Sequence, residues 1–268
     1  MNHAVVMFHS LWDYRGFILA NVRREFRQRY TNSLLGGLWA VLNPLTMIVI
    51  YTVIFAGIMR PRLAGQEDNV FAYSIYLCAG VLTWGAFADM VGRMQGVFIQ
   101  YGNLIKKSNF PRSCLPLIVA LAVLIDFAIV MTLYLVFLLI TGNFPGWVIL
   151  AFPAVFLIQL MFGVGLGLLT ATLNVFFRDV GQFIGVILQF WFWLTPIIYS
   201  ASILPEAIRD WLWLNPIYPL ITAYQGIFLH HAWPDWSSLP GVAVGSLALL
   251  LLSSRLFLKL AGEIVDEL

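Results

Sequence analysis

The chain has 268 residues, of which 61% are hydrophobic, 15% aromatic and only 10% charged. Soluble domains carry about 25% charged residues and disordered chains are poor in apolar ones, so both classes are excluded. A formal net charge of +2 leaves nucleic acid out as a partner, and two cysteines, Cys78 and Cys114, cannot build a disulfide framework. The class that remains is an all-α integral membrane protein.

Residues 1–32 read as an N-terminal amphipathic helix at the cytoplasmic interface. On a helical wheel Phe8, Leu11, Trp12, Leu19, Val22 and Phe26 gather on one side, with Asp13, Arg24 and Arg27 on the other. Arg15 and Arg29 intrude on the apolar side. A basic helix bearing aromatics lies in a membrane surface, which places Arg15, Arg23, Arg24, Arg27 and Arg29 near lipid phosphates. A plain topogenic charge cluster is the alternative. No compact apolar stretch leads to a small-residue cleavage site, so this end is expected to be retained.

Residues 33–268 are expected to form a six-span domain. A crossing needs about 20 apolar residues, because the hydrocarbon layer is about 30 Å thick and a helix rises about 1.5 Å per residue. Six stretches qualify, at about 34–59, 70–91, 115–141, 147–177, 183–199 and 239–258. They show no alternation of apolar and polar residues, which excludes barrel strands. Arg23, Arg24, Arg27, Arg29, Lys106, Lys107, Arg112, Arg178, Arg255 and Lys259 all fall on one side, and only Arg60, Arg62 and Arg209 on the other. That bias puts both termini in the cytoplasm.

The stretch 203–236 lies outside yet is strongly apolar, with Ile203, Ile208, Trp211, Trp213, Tyr218 and Phe228 among its residues. Pro205, Pro216, Pro219 and Pro234 cut it into pieces too short to span. Two short re-entrant helices before the last span fit this pattern, since irregular backbone is tolerated only where it packs on protein or lines a cavity. A lid or lateral gate is the corresponding role.

Enzymatic signatures are missing. The nearest approach to a phosphate-cradling loop, Tyr101 to Ser108, has Tyr101 and Lys106 where the two glycines are required. The four histidines, His3, His9, His230 and His231, lie at membrane surfaces, and His230-His231 lacks carboxylate support for a metal. Asp89 and Arg93 are spaced to pair on one helix face. Asp126 sits inside the third span, as a proton relay or as a carboxylate hydrogen-bonded to neighbouring hydroxyls; the scarcity of similar groups favours the second. Gly163 with Gly167, and Gly181 with Gly185, have the small-residue spacing of closely packed helices. The run Phe190-Trp191-Phe192-Trp193 cannot place four rings on one face, and some of them suit the C–H faces of sugars. Boundary anchoring is the other reading of such rings.

Four motifs in order carry a family resemblance. Arg29-Tyr30-Thr31-Asn32-Ser33-Leu34-Leu35-Gly36-Gly37-Leu38-Trp39 with Asn43-Pro44 resembles the approach to the first span of type-2 ABC transporter permeases that export polysaccharides. The resemblance continues at Asn174-Val175-Phe176-Phe177-Arg178-Asp179-Val180, at Trp193-Leu194-Thr195-Pro196-Ile197-Ile198-Tyr199, and at Asn215-Pro216. It covers nearly the whole chain and points to O-antigen export permeases first, with teichoic acid and capsule exporters next.

The resemblance implies a subunit of an ATP-driven exporter in the bacterial inner membrane. Two copies of the chain would form a conduit for a polyprenyl-diphosphate-linked glycan. Two copies of a separate nucleotide-binding subunit would bind Mg-ATP, so no cofactor and no catalytic residue are expected here. The family's coupling helix falls on Tyr101, Gly102, Asn103, Leu104, Ile105, Lys106 and Lys107, and its interface helix on about 8–30. Its external gate matches 203–236, and spans one and five line its conduit, which brings forward Trp39, Tyr51, Phe190, Trp193 and Tyr199. A drug or lipid exporter is separated only by the resemblance. A membrane sugar transferase would need clustered carboxylates for a metal and diphosphate, whereas Glu67, Asp68, Glu206, Asp210 and Asp235 are scattered.

Overall fold

Proline or glycine stands two residues beyond Met94, Ile140, Leu194 and Leu260, the ends of four apolar helices. The computed structural model describes residues 12–30, 35–59, 68–107 and 110–268, without the side chains of 28–30 and 56–59. Helix α1 is Arg15–Tyr30. The first apolar helix opens with a 3-10 turn at Gly36–Leu38, runs as α2 over Trp39–Tyr51, and continues as a π-helix over Thr52–Met59. Next come α3 (Ala72–Met94), the short α4 (Val97–Gln100) and α5 (Gly102–Lys107), and α6 (Cys114–Ile140). A 3-10 turn at Gly146–Ala151 leads into α7 (Phe152–Phe176), and α8 follows at Asp179–Leu194. The remaining helices are α9 (Glu206–Arg209), α10 (Tyr218–Leu229), α11 (Leu239–Leu260) and α12 (Glu263–Glu267).

Among the described residues five helices are long and apolar enough to cross a membrane: Gly36–Phe55, Ala72–Met94, Cys114–Ile140, Gly146–Phe176 and Leu239–Leu260. They correspond to five of the six expected crossings. The stretch expected at 183–199 starts earlier and ends earlier, as the 16-residue α8. Sixteen residues rise about 24 Å, short of the hydrocarbon thickness. The helix stops because Pro196 drives the residue before it out of the helical region, and Thr195 is extended, with φ −97° and ψ 132°.

The stretch 203–236 resolves into one turn of helix at α9, a 3-10 turn at Leu212–Leu214 and the three-turn α10. The two parts have different surroundings. Ile203, Ile208, Trp211, Trp213 and Leu214 are exposed, whereas Leu220, Ile221, Tyr224, Ile227 and Phe228 are fully buried. Helix α10 packs against α3 and α7 as part of the core.

Helices α3 and α7 are the centre of the bundle: α3 packs on α6, α7 and α10, and α7 also carries α11. Glycine permits this closeness. A Cβ on Gly165 would lie 2.9 Å from the backbone nitrogen of Leu250 on α11, and one on Gly167 would lie 2.9 Å from Met94 on α3. The close packing expected of Gly163 and Gly167 is therefore present. Gly185 differs, because a Cβ there would meet nothing within 4 Å. Its face of α8 is bare within one chain.

Two hydrophobic clusters divide the bundle lengthwise. One gathers Ile48 of α2, α3 from Ala72 to Val91, the second half of α6, the starts of α7 and α11, the middle of α8, and α10. The other gathers Ile18 and Val22 of α1, Met94, Val97, Phe98, Ile105, the start of α6, the end of α7, Phe257 and Ile264. The basic segments 101–107 and 15–27 both lie at the second cluster.

Candidate functional site

Helix α8 sorts its aromatic run by helical geometry. Trp191 and Phe192 turn inward and meet Trp84, and Trp191 also meets Phe87 and Phe162, at ring separations of 5.7–6.1 Å. Phe183, Val186, Phe190, Trp193 and Leu194 follow the i, i+3, i+4 rhythm of one face, and all are exposed, Phe190 to 65% and Trp193 to 58%. Helix α2 is barer still, with Ile48 alone buried among its described residues and Trp39 exposed. Tyr51 is half-buried against Phe55, and Tyr199 is half-buried with its hydroxyl donating to the Trp193 carbonyl at 2.9 Å. Phe190 and Trp193 are thus open to a partner or a passing molecule, Trp39 is exposed, and Tyr51 and Tyr199 are partly so.

The turn after α8 is held in place. Asn215 Nδ2 donates to Thr195 Oγ1 at 2.9 Å, while Asn215 Oδ1 accepts from Trp191 Nε1 at 2.8 Å and from the Ile217 amide at 3.1 Å. Tyr76 Oη donates to the Tyr199 carbonyl at 2.9 Å. At Gly80 a Cβ would lie 3.0 Å from Ile197, so the turn presses directly on α3. The motifs Thr195-Pro196 and Asn215-Pro216, separate in sequence, form one lock between α8 and the segment that follows it. A second lock explains the motif at 174–180. Asn174 Nδ2 donates to the Gln95 carbonyl at 3.0 Å and its Oδ1 accepts from the Gly181 amide at 2.9 Å, joining α3, α7 and α8. Asn215 beside Pro216 was the available signal for the first lock; Asn174, between Leu173 and Val175, offered no such local mark.

At the other end α1 lies along α6. Its packed side is Ile18, Asn21 and Val22, whereas Trp12 and Leu19 face outward at 60% and 62% exposure. The expected single apolar face, with Leu19 beside Val22, is therefore split, since a helix fixed on a bundle carries apolar residues toward protein and away from it. Arg23, Arg24 and Arg27, with Ala20, line a hollow of about 500 Å³. Arg15 turns back on its own helix, donating to the Trp12 carbonyl at 3.0 Å and lying 5.3 Å from the Trp12 ring centre. Phe8 and residues 1–11 fall outside the described residues, as does the side chain of Arg29.

In the 101–107 segment Gly102 and Ile105 are buried, Tyr101 and Leu104 half-buried, and Asn103, Lys106 and Lys107 exposed. The segment thus has an anchored side and a charged free side. Gly102 sits 3.7 Å, measured from an added Cβ, from Leu268 at the end of the chain. Burial and the Glu25 carboxylate push the Tyr101 hydroxyl above its ordinary range, and the Arg24 guanidinium opposes them.

Between α1, α3 and α6 lies a charge cluster. Arg93 Nη1 donates to Asp89 Oδ2 at 3.2 Å and to Asp126 Oδ2 at 3.0 Å, and Arg93 Nη2 donates to Glu25 Oε1. The Asp89–Arg93 pair follows the expected spacing. Asp126, expected among hydroxyls, is ion-paired to the Arg93 guanidinium. The pairing with Glu25 joins residues 68 positions apart and had no local signal.

The chain matches the family model for ABC-2 type transporters over residues 17–229, from within α1 to the end of α10. It is 34% identical over 264 residues to the O-antigen export system permease protein RfbA of Myxococcus xanthus, across 98% of this chain and 99% of that protein. A protein of the same name from Klebsiella pneumoniae is 29% identical over 229 residues, or 85% of each chain. With that match and five helices able to span a membrane, the chain belongs to the ABC-2 type transporter family as a multi-pass membrane protein.

Proposed function

We propose that the chain is the permease subunit of an ATP-driven exporter that moves a lipid-linked, O-antigen-type polysaccharide across the bacterial inner membrane. One observation carries the reading: α2 and α8 present uncovered apolar and aromatic faces in a chain 34% identical to an O-antigen export permease. Two copies of the chain would close these faces around a passage, with Trp39, Phe190 and Trp193 supplying flat rings for sugar C–H faces and Tyr51 and Tyr199 set deeper. Helix α8, continued by the locked turn to Tyr199, completes a sixth crossing, which leaves both termini in the cytoplasm. The exposed segment 203–214 flanks the outer mouth as its gate.

Energy comes from a partner. Two copies of a nucleotide-binding subunit hold Mg-ATP and dock on the exposed side of residues 101–107, where Lys106 and Lys107 offer charge, and along α1. Arg23, Arg24 and Arg27 receive the diphosphate of the incoming lipid, because guanidinium groups match phosphate oxygens in pairs. The experiment is reconstitution in vesicles with and without the partner ATPase. The account expects glycan translocation and ATP turnover only with both chains present. Sustained ATP hydrolysis by the isolated chain would overturn it.

A further inference from the structure

The charge cluster at Arg93 does more than neutralise a buried residue. Its groups come from three elements: Glu25 from α1, Asp89 and Arg93 from α3, and Asp126 from α6. Arg93, Glu25 and Asp126 expose only 15%, 19% and 20% of their side chains. Shielded pairs of this kind are screened little by salt, and removing one member leaves the others uncompensated. A planar guanidinium holds five donors in a fixed fork and so fixes the directions of several carboxylates at once, whereas an ammonium offers three donors on a flexible stem.

The Glu25 contact differs from the other two. Asp89 lies on the same helix as Arg93, so that pair ties nothing further together, and Asp126 lies on α6 within the bundle. Glu25 alone belongs to α1, and it reaches Arg93 across the cluster where α1 meets α6 through Ile18 and Val22. Its second oxygen, Oε2, is buried and has no hydrogen-bond partner among the described residues. That oxygen regains water when α1 lifts away, so docking is opposed as well as favoured, and the contact can be made and broken. The Glu25 carboxylate also acts on Tyr101, the first residue of the 101–107 segment. Arg24 of α1 opposes it there, so two charged side chains of α1 bear on the start of the segment.

We infer that Arg93 is a positioning residue of the transport cycle, joining α1 through Glu25 to α3 and, through Asp126, to α6, so that displacement of α1 moves both spans. This rests on the permease reading above. The test uses the full complex with its ATPase in vesicles and reads glycan translocated per ATP hydrolysed, beside protein abundance. Glu25→Gln is expected to keep abundance and ATP turnover while lowering translocation per ATP about tenfold, within the ordinary range of coupling between sites. Arg93→Lys, which keeps the charge and loses the fork, shifts the ratio in the same direction by a smaller factor. Asp89→Asn, whose partner is on its own helix, leaves the ratio within about twofold of wild type. Should Glu25→Gln accumulate poorly, Asp126→Asn provides the same comparison from α6.

An unchanged ratio in Glu25→Gln, or equal losses in Asp89→Asn and Glu25→Gln, would overturn the role of Arg93. Failure of the wild-type complex to translocate glycan would instead contradict the permease reading, so the two failures are distinguishable.

Discussion

Helices α2 and α3 invert the usual link between apolarity and burial. Helix α3 is the least apolar of the five long helices, and 67% of its most apolar stretch is buried; the more apolar first helix has 6%. The difference has a physical source. Surroundings of lipid tails are as apolar as leucine, so helices associate through close packing and polar contacts instead of through removal of apolar surface from water. Helix α3 has those contacts: Tyr134 donates to its Ile75 carbonyl at 2.9 Å, Gln159 to its Thr83 carbonyl at 2.8 Å, and its Met94 lies against Gly167. Helix α2 offers a nearly uniform apolar surface, suited to lipid or to a second copy of the chain. Burial marks the scaffold; bareness marks the faces that meet something else.

Two sets of substitutions can break this contrast. The largest effect is expected at Gly165→Leu, where a side chain would run into backbone on α11. Overpacking of that kind costs about 1–3 kcal/mol even where neighbours can yield, so thermal melting in detergent should show a large loss of folded protein. Gly185→Leu, on the bare face of α8, should melt within about 0.5 kcal/mol of wild type. Equal destabilisation at the two glycines would show that α8 is not bare.

A smaller effect on the fold is expected from the aromatic run. Trp191→Ala removes an inward ring and the hydrogen bond to Asn215, and should lower stability by about 2 kcal/mol or more, toward the range for large core truncations. Phe190→Ala with Trp193→Ala should leave stability within about 0.5 kcal/mol and still reduce glycan export per molecule. Export that tracks abundance in all three variants would reduce these rings to structural parts.

Much of the fold was legible because long apolar runs have few alternatives in lipid. The crossing expected at 183–199 runs through Pro196, whereas α8 stops at Leu194 because the residue before a proline is driven out of the helical region. What stayed hidden depends on contacts between distant segments. The spacing of Asp89 and Arg93 reveals a pair, yet nothing near either residue identifies Glu25 or Asp126 as further members. The side of α1 that packs on α6 could not be separated from the side facing outward, because both are apolar and one helical period adds them together. Gly181 and Gly185 share the spacing of Gly163 and Gly167, and only the neighbours reveal that one pair packs tightly while Gly185 faces open space.

The central claim is that the bare faces of α2 and α8 meet a second copy of the chain around a passage. Disulfide crosslinking in native membranes tests it, with single cysteines at Val186 or Phe190 on α8 and, for comparison, at Val244 or Leu251 on the exposed side of α11. Native Cys78 and Cys114 are buried and supply a quiet background. The account predicts crosslinked dimers from the α8 positions and none from α11; dimers from α11 alone would contradict it.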